Sequence, residues 1–269
     1  MVAGVALALG PEANGANACR FPALATGGVT VLREGAFLVQ DGNRQLLLPR
    51  ALVSGPATAP IELLRTPVLR CCGLVLRPCG IAALVRDLPA GLLDGISDAR
   101  AVFGAAWSAW EEQVRRAPDE RGAVQMLFDF ARRQLEGGRA VRHLEAAGRL
   151  QALALGELRE AGAALGCSQR QFERRFAAAF GLRPKLFQRI ARMEGALRSG
   201  ILAGRCDADH ALRHGYYDQS HLVRDFRALA GAAPGELLHQ VRAAGSPHWP
   251  LRIGAAFQPA GAVPAFAGR

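Results

Sequence analysis

The sequence predicts two domains: an N-terminal mixed α/β domain with a small β-sheet plus helices, and a C-terminal all-α domain of seven helices. Three observations support this fold class. The chain has 269 residues, enough for two ordinary domains that each have a core. Short apolar runs in the first part of the chain give way to helical periodicity after Pro78. A pattern in the second half recurs with an offset of 50 residues.

The N-terminal half is predicted to start with a disordered segment at 1–20, which is rich in Ala, Gly and Asn. Short apolar runs broken by Gly, Pro or Asp-Gly-Asn then predict strands at 29–32, 36–40, 45–48, 61–64 and 68–76. Helical periodicity follows at 81–85, 99–116 and 123–135, and it ends at Gly137-Gly138. We therefore expect the N-terminal domain to span 21–136.

The C-terminal half contains a repeat of a turn glycine, a helix N-cap, two core residues, a glycine and a proline. These are Gly166, Ser168, Phe172, Phe176, Gly181 and Pro184, then Gly215, Asp218, Leu222, Phe226, Gly231 and Pro234. Each copy predicts a helix-turn-helix, because glycine permits the turn and a Ser or Asp oxygen caps the following helix. An apolar stripe from Leu186 to Ile201 predicts a long linker helix between the two motifs.

The second helix of each motif has two different faces. The predicted core stripes are Phe172, Phe176, Ala179 and Phe180, and Leu222, Phe226, Leu229 and Ala230. The opposite faces carry Arg170, Glu173, Arg174 and Ala177, and Ser220, Val223, Arg224 and Arg227. Such faces suit the DNA major groove, because short side chains allow close approach and guanidinium groups bind guanine edges or phosphates.

The net charge of +10 comes from 33 basic and 23 acidic residues, and Lys185 is the only lysine. Residues 1–140 contain 15 basic and 13 acidic residues, whereas 141–269 contain 18 and 10. This asymmetry favours a polyanionic partner for the C-terminal half, although a solvated basic face would give the same count. The six cysteines form no C-x-x-C pair and no basic leader precedes the N-terminal apolar stretch, so we expect reduced thiols and a cytoplasmic protein.

The segments 166–176, 181–184, 211–227 and 231–234 closely resemble the DNA-binding domain of bacterial AraC/XylS-type transcription regulators. The resemblance covers roughly 141–242 and implies two recognition helices that enter successive major-groove segments. It implies DNA contacts by Gln169, Arg170, Glu173, Arg174, Gln219, Ser220, Val223 and Arg224. Arg227, which lies on the outer face of the second motif, is added to this set. The sequence departs from the family at Gly162, where alanine is usual, and at Glu173, an acid that would need a cytosine amine or a neighbouring arginine as partner.

The runs 53–60 and 74–85 resemble, more weakly, a mixed α/β domain found ahead of some AraC-type DNA-binding domains. This resemblance implies a sensing or dimerisation role for 21–136, ahead of the DNA-binding domain at 141–242. The remainder, 243–269, combines prolines with small residues and is expected to be a flexible tail. Double-stranded DNA is the expected partner. A small-molecule effector at the N-terminal domain, RNA polymerase and a second copy of the chain are further candidates. We expect no cofactor, metal, membrane partner or catalytic residue.

Two alternatives stay open at the level of sequence. Cys71, Cys72 and Cys79 are either buried apolar filler or a thiol site that responds to alkylation or redox change. No Pro-Cys-His acceptor motif supports the thiol site, because Gly80 follows Cys79. The second alternative is a protein-interaction module whose helix-turn-helix units do not bind DNA. The scattered histidines include His210, His214 and His221, which are expected on helix surfaces and not as metal ligands.

Overall fold

The computed structural model of the chain describes residues 2–9, 17–86, 91–243, 246–248 and 250–251. Within these residues, a β-rich N-terminal region precedes a helical C-terminal region, as the sequence predicts. None of the described helices is long and apolar enough to cross a membrane.

The predicted β-structure forms two antiparallel sheets. The described strands are β1 (Val2–Leu9), β2 (Ala18–Phe21), β3 (Gly27–Glu34), β4 (Phe37–Asp41), β5 (Arg44–Leu47), β6 (Ala51–Ser54), β7 (Ile61–Arg65), β8 (Leu69–Leu76) and β9 (Ile96–Asp98). One sheet has the order β1-β8-β3-β6-β9 and the other β2-β7-β4-β5. The predicted strands correspond to β3, β4, β5, β7 and β8.

Four strands lie outside the predicted ones. β1 falls in the segment expected to be disordered, and it pairs with β8 from Val2 opposite Leu76 to Leu9 opposite Leu69. β2 begins in the same segment and pairs with β7. The expectation of disorder at 1–20 is therefore wrong for these two strands. Each is ordered by hydrogen bonds to a neighbouring strand that lies far along the chain, and local composition does not show such a partner. β6 and β9, with four and three residues, show no alternating pattern by which they could have been predicted.

Among its described residues, the N-terminal region has four helices: α1 (Pro78–Val85), α2 (Ala99–Phe103), α3 (Ala105–Arg116) and α4 (Glu120–Leu135). The single helix predicted at 99–116 is divided at Gly104, whose φ of +68° is not helical. Trp107 and Phe130 pack edge to face with ring centroids 4.7 Å apart. These aromatic residues are core, because both side chains are almost fully buried.

The C-terminal region contains seven helices between Gly138 and Arg242, a stretch that is described without a gap. They are α5 (Gly138–Leu153), α6 (Leu158–Ala164), α7 (Gln169–Phe180), α8 (Pro184–Ala203), α9 (Ala208–Arg213), α10 (Gln219–Ala230) and α11 (Pro234–Arg242). Gly137, with a φ of +107°, separates α4 from α5, so the helix predicted to end at the glycine pair does end there. The number of helices and the long linker helix, α8, are confirmed.

The two regions pack directly against each other. Ala23 and Ala25, between β2 and β3, belong to the apolar core of the helical region. The Ala23 amide donates to the Leu229 carbonyl oxygen of α10 at 2.6 Å. The Ala25 amide donates to Glu194 Oε1 of α8 at 3.1 Å. The N-terminal region therefore contacts both the linker helix and the end of α10.

The segment after α11 was expected to be a flexible tail, but its described part contacts β2. The Arg20 amide donates to the Pro247 carbonyl oxygen at 2.7 Å, and the side chains of Ser246 and His248 are buried. Residues 246–248 are therefore held against the N-terminal region. Of the other residues of the predicted tail, Ala243 and 250–251 are described, whereas 244–245, 249 and 252–269 lie outside the described residues.

Candidate nucleic-acid interface

The first helix-turn-helix consists of α6, a four-residue turn and α7. Gly166 has a φ of +63°, a left-handed conformation that favours glycine. Gly162 lies where α6 approaches the start of α7, and a Cβ there would stand 2.8 Å from the Cys167 carbonyl oxygen. The departure from the usual alanine at 162 thus has a packing reason, because this turn passes too close to α6 for a side chain.

A capping box starts α7. The Ser168 Oγ accepts from the Gln171 amide at 3.3 Å, and the Gln171 side chain accepts from the Ser168 amide at 2.9 Å. Two otherwise unpaired backbone amides are satisfied in this way. The cap defines where α7 begins relative to the turn.

We expect Ser168→Ala to lower the free energy of unfolding by about 1 kcal/mol, because it removes the acceptor for an amide in the first turn of α7. Urea denaturation followed by circular dichroism measures this change. Ser168→Asn is the matched control, because asparagine retains a capping oxygen. Equal stability of Ser168→Ala and the wild type would contradict the role of the cap.

The inner face of α7 is the predicted core stripe. Phe172, Phe176 and Phe180 are buried. The Phe176 ring lies 4.5 Å from that of Phe180 and 5.3 Å from that of Phe187 on α8, centroid to centroid. Ring packing therefore attaches the first recognition helix to the linker helix.

The outer face of α7 presents the predicted DNA-contacting side chains. Gln169, Arg170 and Arg174 are exposed, and Glu173 is half-buried. The Gln169 side-chain amide donates to Glu173 Oε1 at 2.8 Å, so the partner of this acid is a glutamine and not one of the neighbouring arginines. In the described part of the chain, neither arginine forms an ion pair or a hydrogen bond through its side chain. Both guanidinium groups are available to a ligand.

The second helix-turn-helix, α9 and α10, repeats this arrangement. Gly215 has a φ of +72°, and Asp218 Oδ1 accepts from the His221 amide at 2.7 Å to cap α10. The second motif has the fully buried Ala211 at the place where the first motif has Gly162. The turn of the second motif is one residue longer than that of the first. Leu222 and Phe226 are fully buried, which confirms the inner face.

The outer face of α10 carries the remaining predicted contacts. Gln219, Ser220, Arg224 and Arg227 are exposed, and Val223 is half-buried. Among the residues that the structure describes, the two arginines have no side-chain partner. The structure thus places all nine predicted DNA-contacting residues on two equivalent helix faces, five on α10 and four on α7.

Burial of the histidines differs from the sequence expectation. His210 is 3% exposed and is not a helix-surface residue. The His210 Nε2 lies 2.8 Å from the Ala196 carbonyl oxygen. The Ser199 Oγ lies between the two histidines, 3.1 Å from His210 Nε2 and 2.6 Å from His214 Nε2. Burial, His210 and Arg213 lower the pKa of His214. These side chains join α9 to α8, and the described residues contain no cluster that could hold a metal ion.

Sequence reasoning also missed a buried acid on the second recognition helix. Asp225 is 3% exposed, and its Oδ1 accepts from Arg189 of α8 at 2.7 Å. One signal was available. Position 225 follows Leu222 by three residues and directly precedes Phe226, so helical geometry places it at the edge of the core stripe.

Two thiols of the N-terminal region, those of Cys71 and Cys72, are poorly suited to reaction. Cys71 and Cys72 are buried on β8. Burial raises the pKa of the Cys71 thiol to about 12 and that of the Cys72 thiol to about 11. A thiol needs its thiolate form to react, so this environment favours the apolar-filler interpretation of both residues.

Comparisons with known proteins gave one family match and several similar solved structures. Residues 162–240 match a family model described as a helix-turn-helix domain. No curated protein sequence matches the chain. Similar solved structures include ToxT from Vibrio cholerae O395, with 10% identity, a TM-score of 0.47, and coverage of 88% of this chain and 97% of that chain. Another crystal form of ToxT from Vibrio cholerae has 9% identity, a TM-score of 0.49, and coverage of 88% and 98%.

Proposed function

We propose that this chain, whose C-terminal region is an AraC-type helix-turn-helix domain, is a transcription regulator that binds specific DNA sequences through α7 and α10. Helix-turn-helix domains are typical of DNA-binding regulators and not of enzymes. The observation that carries the proposal is the pair of matched outer faces, each with exposed arginines that have no partner in the described part of the chain. In this proposal the protein acts in the bacterial cytoplasm, where the chromosomal DNA lies.

The outer faces suggest how the contacts divide. Arg174 and Arg224 occupy equivalent positions, 50 residues apart, and each can donate two hydrogen bonds to the O6 and N7 of a guanine. Arg170 and Arg227 supply further positive charge for guanine edges or phosphates. Gln219 and Ser220 lie in the first turn of α10 and can bond base edges or the backbone. Val223 provides an apolar contact for a thymine methyl group.

Glu173 and Gln169 form a pair that can rearrange on DNA. In the free protein the Gln169 side-chain amide donates a hydrogen bond to Glu173 Oε1. A cytosine N4 amine is a donor that the carboxylate accepts well, which would release Gln169 to bind an adenine or a phosphate. The first half-site is therefore proposed to prefer a cytosine opposite Glu173.

The contacts between the two regions support control through the N-terminal domain. Ala23 is bonded to Leu229 in the last turn of the second recognition helix, and Ala25 is bonded to Glu194 of the linker helix. A change in the β2–β3 segment would therefore act directly on the helices that present the DNA-binding faces. A small-molecule effector, or dimerisation through the N-terminal domain, would use this route.

Glu194 makes the contact between the regions sensitive to pH. Burial raises the pKa of its carboxyl group to about 7, against the opposing effects of the Ala25 amide and Arg198. Between the ordinary glutamate pKa and about pH 7, Glu194 is therefore protonated in the folded protein but has lost its proton in the unfolded chain. Stability is gained as the pH falls through this range and is lost as it rises.

We expect Glu194→Gln to stabilise the protein by about 2–3 kcal/mol at about pH 8 and to leave it unchanged at about pH 4. The glutamine carbonyl still accepts from the Ala25 amide but carries no charge to bury. Urea denaturation at both pH values measures the difference, with the exposed Glu145→Gln on α5 as control. Parallel pH profiles for Glu194→Gln and the wild type would contradict the effect.

Selection of bound duplexes from a random library tests the proposed function. We expect two short conserved elements whose centres lie about 10 base pairs apart. Binding should weaken steeply with salt, because each arginine on a phosphate releases counterions. Absence of duplex binding at low salt would overturn the proposal and favour the protein-interaction alternative. A methyl-transfer assay with alkylated DNA addresses the thiol alternative, and we expect no transfer.

A further inference from the structure

An ion pair between a buried acid and a half-exposed arginine joins the second recognition helix to the linker helix. Asp225 of α10 accepts, through one oxygen, from Arg189 Nη2 at 2.7 Å and from Arg189 Nε at 3.2 Å. Arg189 belongs to α8, so the bond connects helices of different motifs. The first recognition helix has no such bond, because the matching position is occupied by Arg175, which is exposed.

The surroundings of Asp225 are polar but incompletely paired. Asp225 Oδ2 is buried and has no hydrogen-bond partner among the described residues. His221, one turn earlier on α10, has its Nε2 3.9 Å from this oxygen. The buried Tyr216 packs edge to face on the His221 ring, and the Arg192 guanidinium lies 5.3 Å above the Tyr216 ring centroid. Two arginines of α8, Arg189 and Arg192, therefore contact the second motif.

Stability alone does not account for an acid at this place. A buried carboxylate loses its hydration, and this cost offsets most of the attraction to a single arginine. Leu222 and Phe226 already bury the same face of α10. Apolar packing has little directional preference, whereas a carboxylate held by two N–H groups of one guanidinium constrains both the rotation and the axial position of a helix.

The linker helix is the element that relates the two recognition helices. Near its start, Phe187 packs on Phe176 of α7, with ring centroids 5.3 Å apart. Arg189 follows two residues later and holds α10 through Asp225. The attachments of both recognition helices therefore lie within one turn of α8. A small shift of α10 at this point changes its position relative to α7.

We propose that Asp225 is a positioning residue for DNA binding, which acts through Arg189 to set the spacing between the two half-sites that the protein binds best. The proposal rests on the proposed function and adds a determinant of half-site spacing to it. Asp225 touches no DNA in this account. Its effect is on geometry, which distinguishes it from the arginines of the outer faces.

The test compares spacing preference in three variants. The selected duplex is prepared with its natural spacing and with a single base pair inserted or removed between the half-sites. We expect Asp225→Asn and Arg189→Gln each to reduce the preference for the natural spacing by about tenfold, because each removes or weakens a charge-assisted hydrogen bond between α10 and α8. The double variant should be no worse than either single variant, because the two groups act as a unit.

Lys185→Gln is the matched control. Lys185 is an exposed cation one turn before Arg189 on the same helix, so the substitution removes the same charge without breaking the ion pair with Asp225. Its preference for the natural spacing should equal that of the wild type. Each variant is also melted thermally. A melting temperature well above the temperature of the binding measurement establishes that the variant is folded when it binds.

Two results would overturn the inference. One is an equal loss of affinity at every spacing in both single variants, which is what a purely structural role produces. The other is an unchanged spacing preference in both single variants. Failure of the wild type to bind any duplex is a different result, because it removes the proposed function itself.

Discussion

Phe176→Ala is expected to lower the free energy of unfolding by about 3–5 kcal/mol, the largest effect of any single substitution considered for this chain. The Phe176 side chain is fully buried and packs against Phe172, Phe180 and Phe187. Truncation to alanine leaves a cavity at the junction of α7 and α8, which the surrounding rings can fill only in part. Urea denaturation measures the loss.

Phe176→Leu separates cavity formation from a general intolerance of substitution at this position. Leucine retains much of the buried volume and should cost clearly less than alanine. The outer face of α7 is unaltered in both variants, so Phe176→Leu should bind the selected duplex with affinity close to that of the wild type at low temperature. A loss below about 1 kcal/mol for Phe176→Ala would contradict the packing described at this junction.

The second large effect is expected from removal of both equivalent arginines, Arg174→Ala with Arg224→Ala. Each arginine that donates two bonds to guanine contributes about 1–3 kcal/mol of discrimination, so the pair should cost about 2–6 kcal/mol on the selected duplex. The losses should add, because the two side chains lie on different helices and share no partner. Titration of labelled duplex at fixed salt measures the change.

A charge-matched variant isolates base contacts from general electrostatics. Arg139→Ala with Arg142→Ala removes two exposed arginines from α5, outside both motifs. This variant should retain its discrimination between selected and random duplexes. If the Arg174 and Arg224 substitutions weakened binding to random DNA as much as to the selected duplex, both residues would be phosphate contacts only.

The two motifs could be predicted because each depends on local chemistry. Gly166 and Gly215 adopt the left-handed backbone that the turn requires, and Ser168 and Asp218 cap the helices that follow. The alternation of buried and exposed positions along α7 and α10 follows from 3.6-residue periodicity. For the same reason, the outer faces could be identified residue by residue.

Features that depend on distant partners could not be predicted. Asp225 is held by a residue 36 positions earlier on another helix, and no local pattern shows that partner. The β1 strand lies in a segment expected to be disordered, and its partner, β8, is far along the chain, so no local pattern shows the pairing. Ala23 and Ala25 connect the two regions through backbone amides, which are the same at every non-proline residue and so carry no sequence signal.

The central claim is that α7 and α10 contact DNA together, in two successive segments of the major groove. Guanine methylation interference on the selected duplex tests it most directly, because methylation at N7 blocks the major-groove edge that an arginine binds. The account predicts two clusters of interfering guanines about 10 base pairs apart, with the cluster of one half-site lost in Arg174→Ala and the other lost in Arg224→Ala. A single cluster, or loss of the same cluster in both variants, would contradict it.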